Sequence, residues 1–202
     1  MSSPTSGGAA EADNLVVRAK SDREAMGRLY DRYYPIVHGY CSRRLQDGAT
    51  ADDVTSQVFL QVAANMRDFA GTTDGDFRCW VYRIATNAIN AHLRQRIRRS
   101  RLFARAVRLG RWDPRDGAPA EAAAVGVDWD DVARAMHALK PREQAVLTLR
   151  YIEGLSYEEV AKVVGGRPAT IRVVVSRALE HLRRRLLGPS STRVARPGGG
   201  ES

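Results

Sequence analysis

Apolar residues recur at three- and four-residue steps along most of this chain, the period of helices with one buried face. Leu29, Tyr33, Ile36, Val37 and Tyr40 make one such stripe, with Pro35 as an expected kink or boundary. Gly48 closes that segment. Thr50 then stands where it can cap a helix opening on Ala51, Asp52 and Asp53. Val54, Val58, Phe59, Val62 and Met66 carry the next stripe, and the run AGTTDGD at 70–76 reads as a loop. The stretch 77–99, FRCWVYRIATNAINAHLRQRIRR, follows. Phe77, Trp80, Val81, Ile84, Ala85, Ala88 and Ile89 keep the helical period, and Tyr82, Arg83, Thr86, Asn87 and Asn90 fall largely between them. Arg94, Arg96, Arg98, Arg99 and Arg101 come after. Two readings fit this helix. One is a core helix with a solvated basic end. The other is a surface that holds an unstacked base and its phosphates.

The pattern lapses over 101–128, where GRWDPRDGAPAEAAAVGVD reads as a linker, with room for a short helix at 102–109. It resumes at 129–187. Pro141 and Glu143 suit a helix start, with Val146, Leu147, Leu149 and Tyr151 as its apolar content. Gly154 ends that helix. Ser156 and Glu159 form a capping box ahead of Val160, Ala161 and Val164, which face inward. Gly165 and Gly166 break the chain, and Ile171, Val175, Ala178, Leu182 and Leu186 form the last buried stripe. This spacing is that of a helix-turn-helix, whose second helix meets base edges in the major groove. Its outer face would hold Arg167, Thr170, Arg172, Val173, Ser176 and Arg177. Arginine can pair with guanine, the hydroxyls can reach phosphate or base, and Val173 can meet a thymine methyl. Arg183, Arg184 and Arg185 read as a solvated run at the helix end. The expectation is an all-α chain of two small helical domains, 14–100 and 129–187, joined by a flexible linker. Residues 1–13 and 188–202 are expected to be disordered.

Charge narrows the function. A net charge of +9 and a pI near 10.1 over 202 residues point to a polyanionic partner. Hydrophobic content of 44% suffices for real cores. Cys41 and Cys79, the only cysteines, sit inside helical patterns and are expected to be buried free thiols of a reducing cytoplasm. No apolar run approaches a membrane span, and the start of the chain lacks a secretory pattern. A soluble cytoplasmic protein without membrane insertion is expected. His38, His92, His137 and His181 are scattered. No glycine-rich phosphate loop occurs either. No catalytic residue, metal site or cofactor is therefore expected, and an enzyme is disfavoured.

The block FRCWVYRIATN resembles the second conserved region of bacterial sigma factors of the small extracytoplasmic-function type. Members commonly read F-x-x-W-L-Y-R-I-A-x-N there; Phe77, Trp80, Tyr82, Arg83, Ile84, Ala85 and Asn87 match, with Val81 for Leu. GLSYEEVAKVVGGRPATIRVVVSRA is similar to the fourth region of the same family, with Val173 and Val174 where Ser-Arg is usual. ADDVTSQVFLQV resembles the helix of the second region that docks on the polymerase, often D-A-E-D-L-V-Q-E-T-F-L. Asp52, Asp53 and Phe59 match, while Ser56 replaces Gln and Gln57 replaces Glu. Four residues after Asn87 the family often has Asp; this chain has Ala91.

The resemblance implies a factor that binds core RNA polymerase, directs it to −35 and −10 promoter elements, and promotes melting. It implies polymerase contacts at Asp52, Asp53, Gln57 and Phe59. For the −10 element it implies Phe69, Gly71, Tyr82, Arg83, Asn87, Arg94 and Arg98, with the 69–76 loop and Asn87 holding a flipped base and the arginines tracking phosphates. Trp80 reads as core packing. The outer face at 167–177 would read the −35 element. Promoter DNA and core polymerase are the implied partners. Many members are held by an anti-sigma protein, though no residue here marks such a partner. Two other classes remain open: a plain helix-turn-helix regulator, and a homologue that binds polymerase without reading promoters.

Overall fold

The computed structural model describes residues 6–45, 47–108 and 129–187, with side chains described over 10–45, 47–98 and 131–186. Every described element is helical. The first domain comprises α1 (Ser6–Arg18), α2 (Arg23–Leu45), α3 (Gly48–Asn65) and α4 (Asp74–Arg108). The second comprises α5 (Trp129–His137), α6 (Pro141–Leu147), α7 (Tyr157–Val164) and α8 (Pro168–Leu187). The expected linker beyond 108 and the tail from 188 lie outside the described residues.

The first core follows the periodic stripes. Leu29, Tyr33, Val37 and Tyr40 of α2 meet Val54, Val58 and Val62 of α3 and Phe77, Val81, Ala85 and Ile89 of α4, all buried. Ile36 departs from its stripe and is 40% exposed. Pro35 neither ends nor divides α2, which runs on to Leu45. Pro35 is exposed, so the carbonyl that loses its helical partner there is open to water.

Three local expectations change. Asp47, not Thr50, caps α3: its carboxylate accepts from the Thr50 backbone N–H at 3.1 Å and from the Thr50 hydroxyl. A carboxylate at a helix N-terminus also gains from the helix dipole, which a hydroxyl does not. The helix α1 begins at Ser6, within the stretch expected to be disordered. Ala12 and Val16, one turn apart, are buried, and Asp13 Oδ1 accepts from the Asp74 N–H at 2.7 Å. Those tertiary contacts outweigh a weak local composition. Finally, α4 is 35 residues long, about 50 Å at the helical rise, and runs to Arg108, inside the expected linker.

In the second domain Pro141 opens α6, and the Glu143 carboxylate accepts from the Lys140 N–H at 3.2 Å. The helix then widens into a π-helical turn, Thr148–Ile152, before Gly154. Ser156 and Glu159 form the expected capping box on α7. Gly165 and Gly166, at φ of 74° and 130°, turn the chain into α8 through backbone that side-chain-bearing residues rarely adopt. Val160, Ala161 and Val163 of α7 pack with Ile171, Val175 and Ala178 of α8. Val163 takes the buried place expected of Val164, which is half-buried, as is the far end of the α8 stripe at Leu182 and Leu186. The two domains touch, with α7 against α4.

Candidate nucleic-acid interface

Burial of Ile171, Val175 and Ala178 fixes the rotation of α8, so its other side must face out. Arg167, Thr170, Arg172, Val173, Ser176 and Arg177 are all exposed there. Val173 is 50% exposed, an apolar side chain within a cationic and hydroxylic face. The turn before α8 is tied to α6 by Arg142, which donates to the Gly165 carbonyl at 2.8 Å. Arg172 rests on α7, its guanidinium 5.1 Å from the Tyr157 ring centroid and 3.9 Å from the Glu158 carboxylate.

The first domain offers a second cationic surface. Asn87 is exposed on α4, and Arg94 and Arg98 are exposed further along it. Phe69 is half-buried and stacks on Trp80, centroids 4.5 Å apart and planes 22° apart. Trp80 also meets the buried Phe77 edge-on, as its place in the stripe predicts. Gly71 lies so close to the Phe69 ring that an added Cβ would come within 2.3 Å of it, so only glycine fits. The next helix is capped by Thr73, whose hydroxyl accepts from the Asp76 N–H at 3.1 Å and donates to its carboxylate at 2.8 Å. These hydrogen bonds hold the Asp76 carboxyl below its usual range.

On α3, Asp52, Asp53 and Gln57 are exposed, and Asp52 Oδ1 lies 2.8 Å from His38 Nε2. Phe59 is only 6% exposed and packs on Tyr30 and Tyr34. It supports that face from beneath rather than presenting itself to a partner. Leu60, 72% exposed, is the apolar side chain α3 does present, and the pattern missed it because it falls between stripe positions.

The domain contact was not legible in the sequence. Tyr82 is 1% exposed and donates to Glu153 Oε2 at 2.5 Å. Arg43 pairs with the other Glu153 oxygen. Arg78 meets Glu159 at 2.5 Å, and Arg83 Nε donates to the Lys162 carbonyl at 3.1 Å. Burial, then the hydrogen bond to Glu153, hold the Tyr82 phenol far above its ordinary range. Arg44, 1% exposed, donates to Gln144 Oε1 at 3.2 Å and to the Pro141 carbonyl at 3.1 Å. Of the residues expected at the −10 element, Tyr82 and Arg83 are thus engaged by the second domain, whereas Asn87, Arg94 and Arg98 are open.

The family description of Sigma-70 region 2 matches residues 29–99, and that of Sigma-70 region 4 matches 129–182. The chain belongs to the sigma-70 family. Among its relatives is the ECF RNA polymerase sigma factor BldN of Streptomyces coelicolor, 32% identical over 85% of this chain and 64% of BldN. Another is the RNA polymerase sigma-H factor of Pseudomonas aeruginosa, 31% identical over 80% of this chain and 86% of that protein. The fold is shared with CnrH in complex with the cytosolic domain of CnrY, at a TM-score of 0.62 and 23% identity, over 89% of this chain and 99% of that one. Every residue expected to meet polymerase or DNA in this sigma factor lies inside one of the two matched segments. Among the described residues no helix is long and apolar enough to cross a membrane. Both cysteines are buried free thiols.

Proposed function

We propose that this sigma factor binds core RNA polymerase through α3, reads a −35 element with α8, and opens the −10 element with α4 and the 69–73 loop before it. The observation that carries the reading is the outer face of α8. Five side chains of the second helix of a helix-turn-helix, and Arg167 just before it, stand exposed with the chemistry of base and phosphate recognition. On the first domain, Asn87 has the donor and acceptor to read a base edge, and Arg94 and Arg98 follow backbone phosphates. Flipping a base costs a few kcal/mol. A held base and ordered phosphates offset that cost. Neither domain need bind tightly alone, because tethering both to one polymerase raises effective concentration.

For Tyr82 and Arg83 to reach DNA, the two domains must part, breaking the contacts to Glu153 and Lys162. A protein partner comparable to the one seen with CnrH belongs to the same reading. The site of action would be the cytoplasm, with the polymerase.

The test is in vitro transcription with bacterial core polymerase, the purified chain and a fragment library of its own genome. Discrete start sites sharing two spaced upstream elements are expected. Binding to core without transcripts would favour a homologue that does not read promoters. No binding to core would return the chain to the plain regulators.

A further inference from the structure

A cleft of about 580 Å³ opens between α1 and α2. None of its lining residues belongs to the α8 face, the Asn87 surface of α4 or the contact between the domains. Arg18 stands on its α1 side and Arg28 and Arg32 on its α2 side, all exposed. Arg28 and Arg32 are one helical turn apart, about 6 Å along the axis. Buried Ala12 and half-buried Leu15 supply an apolar wall, and Glu11 is the one carboxylate in the lining. Among the described residues Arg28 has no hydrogen-bond or ion-pair partner. Arg18 pairs with Asp22 at 2.9 Å and Arg32 with Asp74 at 3.4 Å, the arginine side chains 53% and 46% exposed. Such exposed pairs hold weakly and yield to a stronger anion.

Contacts at both ends of the 69–73 loop join it to the helices of the cleft. Where the loop ends, the Asp74 carboxylate accepts from Arg32 and, at 2.8 Å, from the Tyr33 hydroxyl, and the Asp74 N–H donates to Asp13 of α1 at 2.7 Å. Asp74 thereby pins α1 and α2 together. Where the loop begins, Lys20, two residues beyond Arg18, brings its ammonium to 5.6 Å from the Phe69 ring centroid. The charge of the cleft is thus held beside the loop. Three guanidinium groups against one lining carboxylate suit an anion with several phosphates, which arginine takes bidentately. No aromatic side chain lines the cleft, so a base has no stacking platform there and the backbone is the part that fits. An acidic peptide would meet the same charges, but continuity with the loop favours DNA.

We propose that this cleft binds the phosphodiester backbone of single-stranded DNA where the strand runs on from the 69–73 loop. Arg28 is its principal phosphate ligand, and Arg18 and Arg32 turn from their carboxylates to join it. The inference rests on the reading of that loop as strand-binding. The contact is blind to sequence, because phosphates carry no base information. Its role is to hold the opened strand outside the captured base, and Glu11 tempers the attraction.

The test uses holoenzyme assembled from the full chain and core polymerase. The probes are two single strands carrying the −10 element of a promoter that the holoenzyme transcribes. One ends at the element and the other extends about ten nucleotides to each side, a span such a groove can cover. Affinity is measured over a range of salt. The double variant Arg18→Gln, Arg28→Gln leaves Asp74 and the loop untouched. It is expected to weaken the extended strand about tenfold at about 0.1 M salt and to lower its salt slope by about 1–1.5, the effect of two lost phosphate contacts, while the short strand binds as before. Glu11→Gln should tighten the extended strand, a gain that misfolding does not produce. Unchanged affinity and slope in the double variant overturn the proposal. Equal weakening of both strands overturns it too, since the arginines would then act on the fold. A loss of affinity for core alone would give the cleft to an acidic face of the polymerase instead. If the wild-type holoenzyme does not hold the short strand, the reading of the loop falls and takes the cleft with it.

Discussion

Arg44 carries a full charge into the interface between the domains, and among the described residues no carboxylate meets it. Its guanidinium is satisfied by neutral oxygens: Tyr40 Oη at 2.9 Å and Asn90 Oδ1 at 3.5 Å on its own side, and Gln144 and the Pro141 carbonyl on the other. Arg44→Ala is expected to cost about 3 kcal/mol of stability in chemical denaturation, because several buried acceptors lose their donor together. Arg44→Met, which keeps most of the volume, should cost less. The same network reaches His137, whose Nδ1 lies 3.0 Å from Gln144 Nε2. Burial, and secondarily the Arg44 charge, lowers the His137 pKa below 6.5. The unfolded chain therefore takes up this proton first as pH falls. The contribution of His137 is fully present above pH 6.5 and is lost as pH drops below it. Stability measured by denaturation between pH 7.5 and 5 should show that loss, and His137→Asn should remove it.

The capping box of α7 and the face of α8 were both legible in the sequence, for a local reason. Ser156 and Glu159 satisfy one another's backbone N–H groups across three residues, at 2.8 and 3.1 Å. Ser156→Ala should cost about 1 kcal/mol in thermal unfolding. The face of α8 follows from helical period alone, but the resting place of Arg172 on Tyr157 and Glu158 does not. That contact holds a long side chain against α7, beside the exposed face of α8. Arg172→Ala should cost about 1–3 kcal/mol of discrimination at one base pair, read by binding to a panel of promoter variants. A uniform loss across the panel would assign it to a phosphate. At Pro35, Asp47 and the start of α1, local signals misled. Burial on one side of α2, a stronger capping oxygen and a tertiary hydrogen bond each decided the outcome.

Across the molecule, the packed arrangement of the domains converges on Glu153. Its side chain is 6% exposed and serves both Arg43 and Tyr82, 110 and 71 residues away in sequence. Removing a buried acceptor leaves two donors unmet. Glu153→Ala is expected to loosen the contact, raising the radius of gyration in X-ray scattering and lengthening the distance between labels on the two domains. An unchanged radius and distance would show that Arg44 and the Arg78–Glu159 pair hold the domains without it. A second outcome follows for acid. Burial alone would raise the Glu159 pKa, but the Ser156 N–H and the Arg78 guanidinium outweigh it and the net shift is downward. The stabilisation is therefore present above the unfolded value of 4.5 and is lost as pH falls through the lower folded value. Glu159→Gln should flatten the acid limb of the stability curve.

The helices, their buried faces, the helix-turn-helix and the family were written in the order of residues, because period, caps and breaking glycines act over a few positions. The sequence also placed Asn87 and the outer face of α8 correctly in the open, since burial of their neighbours leaves them no other side. Only the tertiary structure decided that Phe59 supports its surface from within, that Tyr82 is sealed beneath Glu153, and that Arg44 joins α2 to α6. Only it brought Asp13 and Arg32 together at Asp74. Those facts depend on which helices meet. Pairings between residues some 25 to 110 positions apart leave no periodic trace in a single chain.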